Sequence, residues 1–484
     1  MKFHVSADTI KRRVGDEGGR HFSTHIMLLA DAALEGDLDE LRCLHEEYGH
    51  LNPWDPLVSA MAAKGGHLEC LKYVHKNGCP CDARVCTMAA RGGFLKCLKY
   101  AHKIGCPWDA YVCEIAADRG HLECLKYLHE NGCPWDANTT ERACARGHLE
   151  CLRYALEHGC PCDRDGNAHV AALCGRLECL KYLHANGAAC PDRYCEVARF
   201  GHLECLKYMH ENGARWNAFI CSEAAEGGHL DCLKYMHENG CPWDKRACRA
   251  AAACGQLACL KYLHENGCPW DEDVCDVAAH FGRLECLKYL HENGCPWDER
   301  ACDLAAHYGH LECLKYLHEN GCPWDKGECT EWAARGGHSE CLKYMHRKGG
   351  PCDARQCFLA TEGGHLECLK YLHEKGCPWN AFVCALAAER GHLECLKYLH
   401  ENGCPWTDLA CSQAVVNDRL SCLKYLHLNA WGTGAFPRRL ELLSLLESNP
   451  ESNKHVRGYL ENSEAFQEDA AIWAERRRAK KARR

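Results

Sequence analysis

Long apolar runs are missing from this sequence. No stretch approaches the roughly 18 apolar residues that a membrane-spanning helix needs, and the opening residues, MKFHVSADTIKRRVGDEGG, contain no apolar block of the kind that starts a secretory signal. Cys-x-x-Cys pairs are absent, so no four-ligand zinc site follows from the usual spacing. There is no phosphate-cradling glycine loop followed by Lys, and Gly432-Thr433-Gly434 alone is too short a signal. Neither a Ser-His-Asp set nor a Cys-His pair occurs in a catalytic context, and no paired carboxylates stand outside a repeated template. These absences point away from an enzyme, a resident metal or cofactor, and a membrane protein.

Cysteine, by contrast, is abundant: 43 of 484 residues, about 9 %, a level that marks disulfide scaffolds in short secreted chains. Here the chain is long, the count is odd, and the cysteines recur at helix positions suited to small apolar side chains. Nearly all are therefore expected as free thiols in a reducing compartment, which places the chain in the cytoplasm.

The cysteines belong to a repeat. The segment from Cys302 to Asp325, CDLAAHYGHLECLKYLHENGCPWD, recurs from about residue 23 to residue 431, and its Gly falls at Gly282, Gly309, Gly337, Gly364 and Gly391, among others. The usual step is 309 − 282 = 27 residues. A degenerate first copy centres on Gly36 and a last copy carries Asp418 at the Gly position, giving fifteen units. A fixed period of this size means stacked supersecondary units sharing one core. Within a unit, Asp298 is placed to cap a first helix, Gly309 to end it in the left-handed region, and Asn320-Gly321 followed by Cys322-Pro323 to stop a second. A helical wheel puts Ala301, Cys302, Leu304, Ala305 and Ala306 on one buried arc. The expected architecture is an all-α, elongated solenoid of about fifteen helix-turn-helix repeats. Residues 1–22 form an irregular lead-in, 23–431 the repeat array, and 432–484 a capping helix with a basic tail.

The run A-A-x-x-G-H-L-E-C-L-K-Y-L-H-E-N-G resembles the second half of the ankyrin repeat, across about 400 residues. The family's Thr-Pro-Leu-His opening is replaced, as in Ala301-Cys302-Asp303-Leu304, and the unit has 27 residues where the family has 33. The shortfall falls between Asp298 and Ala301, where ankyrin repeats carry a β-hairpin finger. Compact arrays with Gly-Cys-Pro-Trp-Asp loops resemble ankyrin proteins of large DNA viruses and protists. The resemblance implies protein binding, through first helices alone because the fingers are missing, by a monomer that serves as an interaction scaffold.

Variation among the units points to the same face. Positions nine, six and two residues before the Gly make one stripe on the first helix and change from unit to unit, whereas the second helix shows nearly the same Glu, Lys and Glu each time. The candidate partner-binding residues on this stripe are Arg84, Tyr111, Phe219, Arg246, Arg300, His307, Arg355 and Phe382, and the whole stripe is expected to face solvent. Two other constellations read as packing. His-x-x-x-Cys pairs such as His318/Cys322 offer only two metal ligands per unit, and the loop tryptophans, such as Trp297, are expected to seal one unit against the next.

Charge divides the chain. The formal net charge is −9, but Arg476, Arg477, Arg478, Lys480, Lys481, Arg483 and Arg484 crowd the last nine residues, so the rest carries −9 − 7 = −16. An acidic array is a poor partner for nucleic acid. The basic tail opens the alternative of a nuclear or nucleic-acid-associated factor.

Overall fold

The computed structural model describes residues 21–48, 54–191, 194–430, 439–446 and 453–462. Among them are 32 helices and no strand. Thirty of these, from His21–Glu35 to Leu420–Ala430, make fifteen helix-turn-helix repeats. The chain divides into two compact units, Met1–Pro242 and Trp243–Arg484. In each, the first helix of a repeat packs on the first helices of its neighbours and on its own second helix, as Glu299–His307 does on Glu272–His280, Lys326–Gly336 and Leu311–Glu319.

Each repeat closes its own backbone. Asp298 Oδ1 accepts the Arg300 N–H at 2.9 Å and starts the first helix. Gly309, at φ 78°, turns the chain, and the His310 N–H then bonds the Ala305 carbonyl at 2.8 Å. Asn320 Nδ2 donates to the Tyr316 carbonyl at 2.8 Å to finish Leu311–Glu319. The loop that follows carries no finger. It is pinned by the Cys322 thiol, which donates to the Asp298 carbonyl at 3.2 Å. Ala301, Cys302, Ala305, Ala306, Leu314 and Leu317 are fully buried, so the alanines let neighbouring first helices approach closely. Leu304, expected on that buried arc, stays half-exposed.

Three contacts join one repeat to the next. The ring of His310 lies over Gly282, where a Cβ would collide with it, and its Nε2 donates to the His280 carbonyl at 2.9 Å. Glycine is thus required twice, for the left-handed φ of 67° and for the neighbour's imidazole. His291 Nδ1 shares a hydrogen bond with the Tyr316 hydroxyl of the following repeat at 3.1 Å. Trp297 stacks on His291 with ring centroids 3.9 Å apart and meets Tyr316 edge-on. Tryptophan therefore seals the repeats as expected, and the histidine bonds a tyrosine on the next repeat's second helix.

The expectation that nearly all cysteines stay unpaired holds with one exception, since Cys352 and Cys377 are joined, with their Cα atoms 5.2 Å apart. Cys352 stands where most repeats have the loop Trp, which brings its sulfur against the loop Cys of the next repeat. The other 41 cysteines form no disulfide, and most of them are buried.

Past the last repeat, Leu442 within the short helix Arg439–Ser444 and Leu446 just after it are buried. A further helix, Lys454–Asn462, was not anticipated. It supplies Tyr459, whose hydroxyl meets His427 Nδ1 at 2.8 Å in place of a sixteenth repeat's tyrosine. Asp418 holds a φ of 53° at the Gly position, and its carboxylate accepts the Val456 N–H at 2.8 Å.

Candidate functional site

The variable stripe of the first helices is not uniformly exposed. The row nine residues before the Gly stands out: Arg84, Tyr111, Phe219, Arg246, Arg300, Arg355 and Phe382 are all exposed, Phe382 at 66 %. The other two rows are mixed: Glu141, Arg249 and Phe358, six before the Gly, are exposed, but several of their neighbours sink between first helices, which corrects the expectation of one uniformly solvent-facing stripe. Six before the Gly, Ser222 and Asp276 are buried and Thr87, Glu114 and Asp303 half-buried; two before it, Asp118 is buried and His307 half-buried. A wheel gives the direction of a side chain but not its depth, and the closely packed alanine faces draw these rows into the crevice between helices.

The second helices present a different surface. The lysine bonds the glutamate three residues before it in repeat after repeat, as Lys126 with Glu123 at 2.8 Å and Lys315 with Glu312 at 2.7 Å. Such exposed pairs contribute little to stability, and their sameness offers a partner nothing to distinguish one repeat from another.

In the unit Met1–Pro242 the acids of the first-helix crevice are answered by arginines of the next repeat. Arg142 Nε donates to Glu114 Oε1 at 3.0 Å, and Arg146 Nε to Asp118 Oδ1 at 2.9 Å. The unit Trp243–Arg484 has such a pair too, Arg390 with Glu362 at 3.3 Å, but also acids of another kind. Asp276 is 3 % exposed and neither carboxylate oxygen receives a hydrogen bond; Arg300 Nε lies 3.4 Å from Oδ2 without bonding it. Burial, with Asp298 adding a like charge, pushes the Asp276 carboxyl up to about 6. Asp303 accepts from the Cys329 thiol at 2.8 Å and is likewise raised to about 6, chiefly by burial. The same first helices carry an aromatic group that sequence reasoning missed. Phe281 and Tyr308 are 48 % and 43 % exposed, His280 stacks on both, and His307 meets Trp332 edge-on. The residues directly before the Gly and five before it were the available signal, since they too vary among units.

The metal candidates are engaged otherwise. His318 Nδ1 bonds the Tyr344 hydroxyl at 2.8 Å while the Cys322 thiol holds the Asp298 carbonyl. Among the described residues no three His, Cys, Asp or Glu side chains gather as metal ligands, and no helix is long and apolar enough to cross a membrane. The basic tail from Arg476 to Arg484 and the lead-in to residue 20 lie outside the described residues.

The profile described as "Ankyrin repeats (3 copies)" matches residues 113–193, and that described as "Ankyrin repeats (many copies)" matches residues 221–264, 275–318, 302–346 and 357–400. The chain belongs to the ankyrin-repeat family. Among solved structures, this ankyrin-repeat protein is similar to the human ASB11 ankyrin repeat domain at 23 % identity and a TM-score of 0.34, over 38 % of this chain and 98 % of that one. Comparison with curated proteins gives no match. Ankyrin repeats are in general modules of protein–protein interaction, so a protein partner is the ligand class that the fold carries.

Proposed function

We propose that this ankyrin-repeat chain is a non-enzymatic scaffold that binds a protein partner through the first-helix face of its repeats. One observation carries the reading. The exposed row nine before the Gly changes identity from repeat to repeat and includes Tyr111, Phe219 and Phe382, while the second-helix face repeats one Glu–Lys pair. Large exposed aromatics and arginines are the residue types that anchor protein interfaces. Scattered single aromatics are ordinary on a surface, but here they occupy one structural row.

The test is to isolate a partner with the full chain and then replace Tyr111, Phe219, Arg246, Arg300 and Phe382 singly by alanine. The reading expects at least two of these to weaken binding tenfold or more, with Glu123→Ala and Lys315→Ala without effect. The reverse pattern would move the working surface to the second helices.

A further inference from the structure

We propose that Cys81 and Cys106 are a site of reversible oxidation, a dithiol that closes into a disulfide across one whole repeat when a small-molecule disulfide is present. The site is separate from the first-helix binding face.

In four loops a cysteine stands three residues after the helix-ending glycine, where the others have tryptophan: Cys81, Cys162, Cys190 and Cys352. The loop cysteine of the following repeat lies 106 − 81 = 25 residues beyond Cys81 and 377 − 352 = 25 beyond Cys352, but the equivalent places after Cys162 and Cys190 hold Ala188 and Ala214. Two loops are thus equipped for a cross-link and two are not. Cys352 and Cys377 are joined, and the Cys81 thiol donates a hydrogen bond to Cys106. In both pairs the inner cysteine is buried while solvent reaches the outer one, since Cys81 is half-buried and Cys352 exposed.

The surroundings of Cys81 direct it to Cys106. Its other hydrogen-bond neighbour is the Ser59 hydroxyl. Ser59 stands at 66 − 7 = 59, seven before its Gly, where ordinary repeats have a thiol such as Cys302, at 309 − 7 = 302. The hydroxyl donates to the Pro80 carbonyl at 2.9 Å, so it braces the loop without offering a competing sulfur. Thr330, at 337 − 7 = 330, is its equivalent for the other pair and accepts from Gln356 Nε2, which also donates to the Pro351 carbonyl at 2.9 Å. Cys79 is engaged elsewhere, its thiol donating to the Asp55 carbonyl at 3.4 Å. Ordinary repeats bring two sulfurs close as well, 3.3 Å apart for Cys221 and Cys241, but both residues are buried and neither is open to attack on an incoming disulfide.

The exchange balances. The Cys81 thiolate attacks one sulfur of glutathione disulfide, forming a mixed disulfide and releasing one glutathione. The Cys106 thiolate then attacks the Cys81 sulfur, forms the internal bond and expels the second glutathione. Two cysteine thiols are oxidised, one glutathione disulfide is reduced to two thiols, and the two cysteine protons go to them. The closed loop encloses the helices Ala83–Gly92 and Leu95–Lys103, which include Arg84 of the exposed row. A cross-link restricts the opened state of that repeat, so the repeat should open less often.

For the test, the full chain is purified reduced and equilibrated with excess glutathione disulfide in mildly alkaline buffer, because the hydrogen bond to Cys106 and burial raise the Cys81 thiol and slow exchange near neutral pH. Remaining thiols are alkylated in denaturant and peptides mapped by mass spectrometry. A Cys81–Cys106 link is expected in most molecules and should disappear with dithiothreitol, while Cys162 and Cys190 are recovered alkylated or carrying glutathione. Amide hydrogen exchange within residues 83–103 should slow severalfold in the oxidised parent and stay unchanged in oxidised Cys81→Ser. Recovery of Cys81 and Cys106 unlinked, a link from Cys106 to Cys86 in place of Cys81, or exchange that slows equally in Cys81→Ser would each overturn the proposal. The mapping uses the parent chain, so it decides even if the serine variant does not fold.

Discussion

The first helices Ala110–Asp118 and Ala137–Arg146 in one unit, and Glu272–His280, Glu299–His307 and Lys326–Gly336 in the other, share a core and differ in their crevices. Cys113, Ala116 and Ala117 are as fully buried as Cys302, Ala305 and Ala306. Above that common floor, Glu114 and Asp118 are hydrogen-bonded by arginines, whereas Asp276 meets a guanidinium at 3.4 Å without a hydrogen bond and Asp303 accepts from a thiol. Repeat arrays can thus keep stability and recognition on separate rows of one helix. The small residues fix the stack, and the rows beside them are free to be neutral or poised.

If the core is common, equal damage to it should cost both regions equally. Leu125→Ala and Leu314→Ala remove fully buried leucines at equivalent places, and each is expected to lose about 2–5 kcal/mol locally in urea unfolding. Losses that differ by more than about 1.5 kcal/mol, a spread seen between sites of the same chemistry, would show that the two cores differ as well.

The crevices should respond in opposite directions. Arg142→Leu leaves Glu114 without its hydrogen-bonded cation and is expected to cost about 1–2 kcal/mol. Asp276→Asn and Asp303→Asn remove charge from sites that disfavour it, and each is expected to raise stability at pH 7 by about 1 kcal/mol. A lower stability for the asparagine variants would mean that these acids are satisfied after all.

The same comparison has a pH signature. Burial raises both carboxyls from 3.8 to about 6 in the folded chain, so the folded state holds protons that the unfolded state releases. Parent stability should therefore fall, relative to the double asparagine variant, as pH rises from about 4 to about 6, and stay lower above that. Histidines whose pKa burial lowers, such as His129 and His318, act in the opposite sense, destabilising the fold as pH drops below 6.5, and cancel in the difference because both proteins carry them. A gap between the two melting curves that does not change with pH would remove the linkage. Smallest of all, Lys315→Ala should change stability by no more than about 0.5 kcal/mol, since its pair with Glu312 is exposed.

The repeat itself was legible in the sequence because Gly309, Asp298 and Asn320 act through local backbone geometry, which the order of residues states directly. The depth of Asp276 was not, because it depends on the next repeat, from which Arg300 reaches it, and on how closely the helices approach. The Cys352–Cys377 bond was missed although a signal existed: Cys replaces Trp in one loop and another Cys follows 25 residues later, in the next. Cys81 and Cys106 stand in that same relation as free thiols, with Cys81 raised by a hydrogen bond to Cys106 and by burial. The helix Lys454–Asn462 lay outside the repeat pattern, and only the demand of His427 for a tyrosine pointed to it.

That demand has a consequence for how such a chain changes over generations. Most internal repeats offer a glycine and a histidine ring to the unit that follows and meet the unit before them with a histidine and a tyrosine, as Gly282 and His291 meet His310 and Tyr316, although Phe94, Arg176 and Arg283 take the place of the histidine over Gly66, Gly147 and Gly255. The two edges are interchangeable from repeat to repeat. A duplication or deletion of one whole unit, in register, therefore leaves no edge unmatched, while a slip out of register would set other residues where the glycine and tyrosine belong. The chain is in effect movable type. Copying the segment from Asp271 to Trp297 would add a second Asp276-type carboxylate one unit along, without asking the core to accommodate anything new.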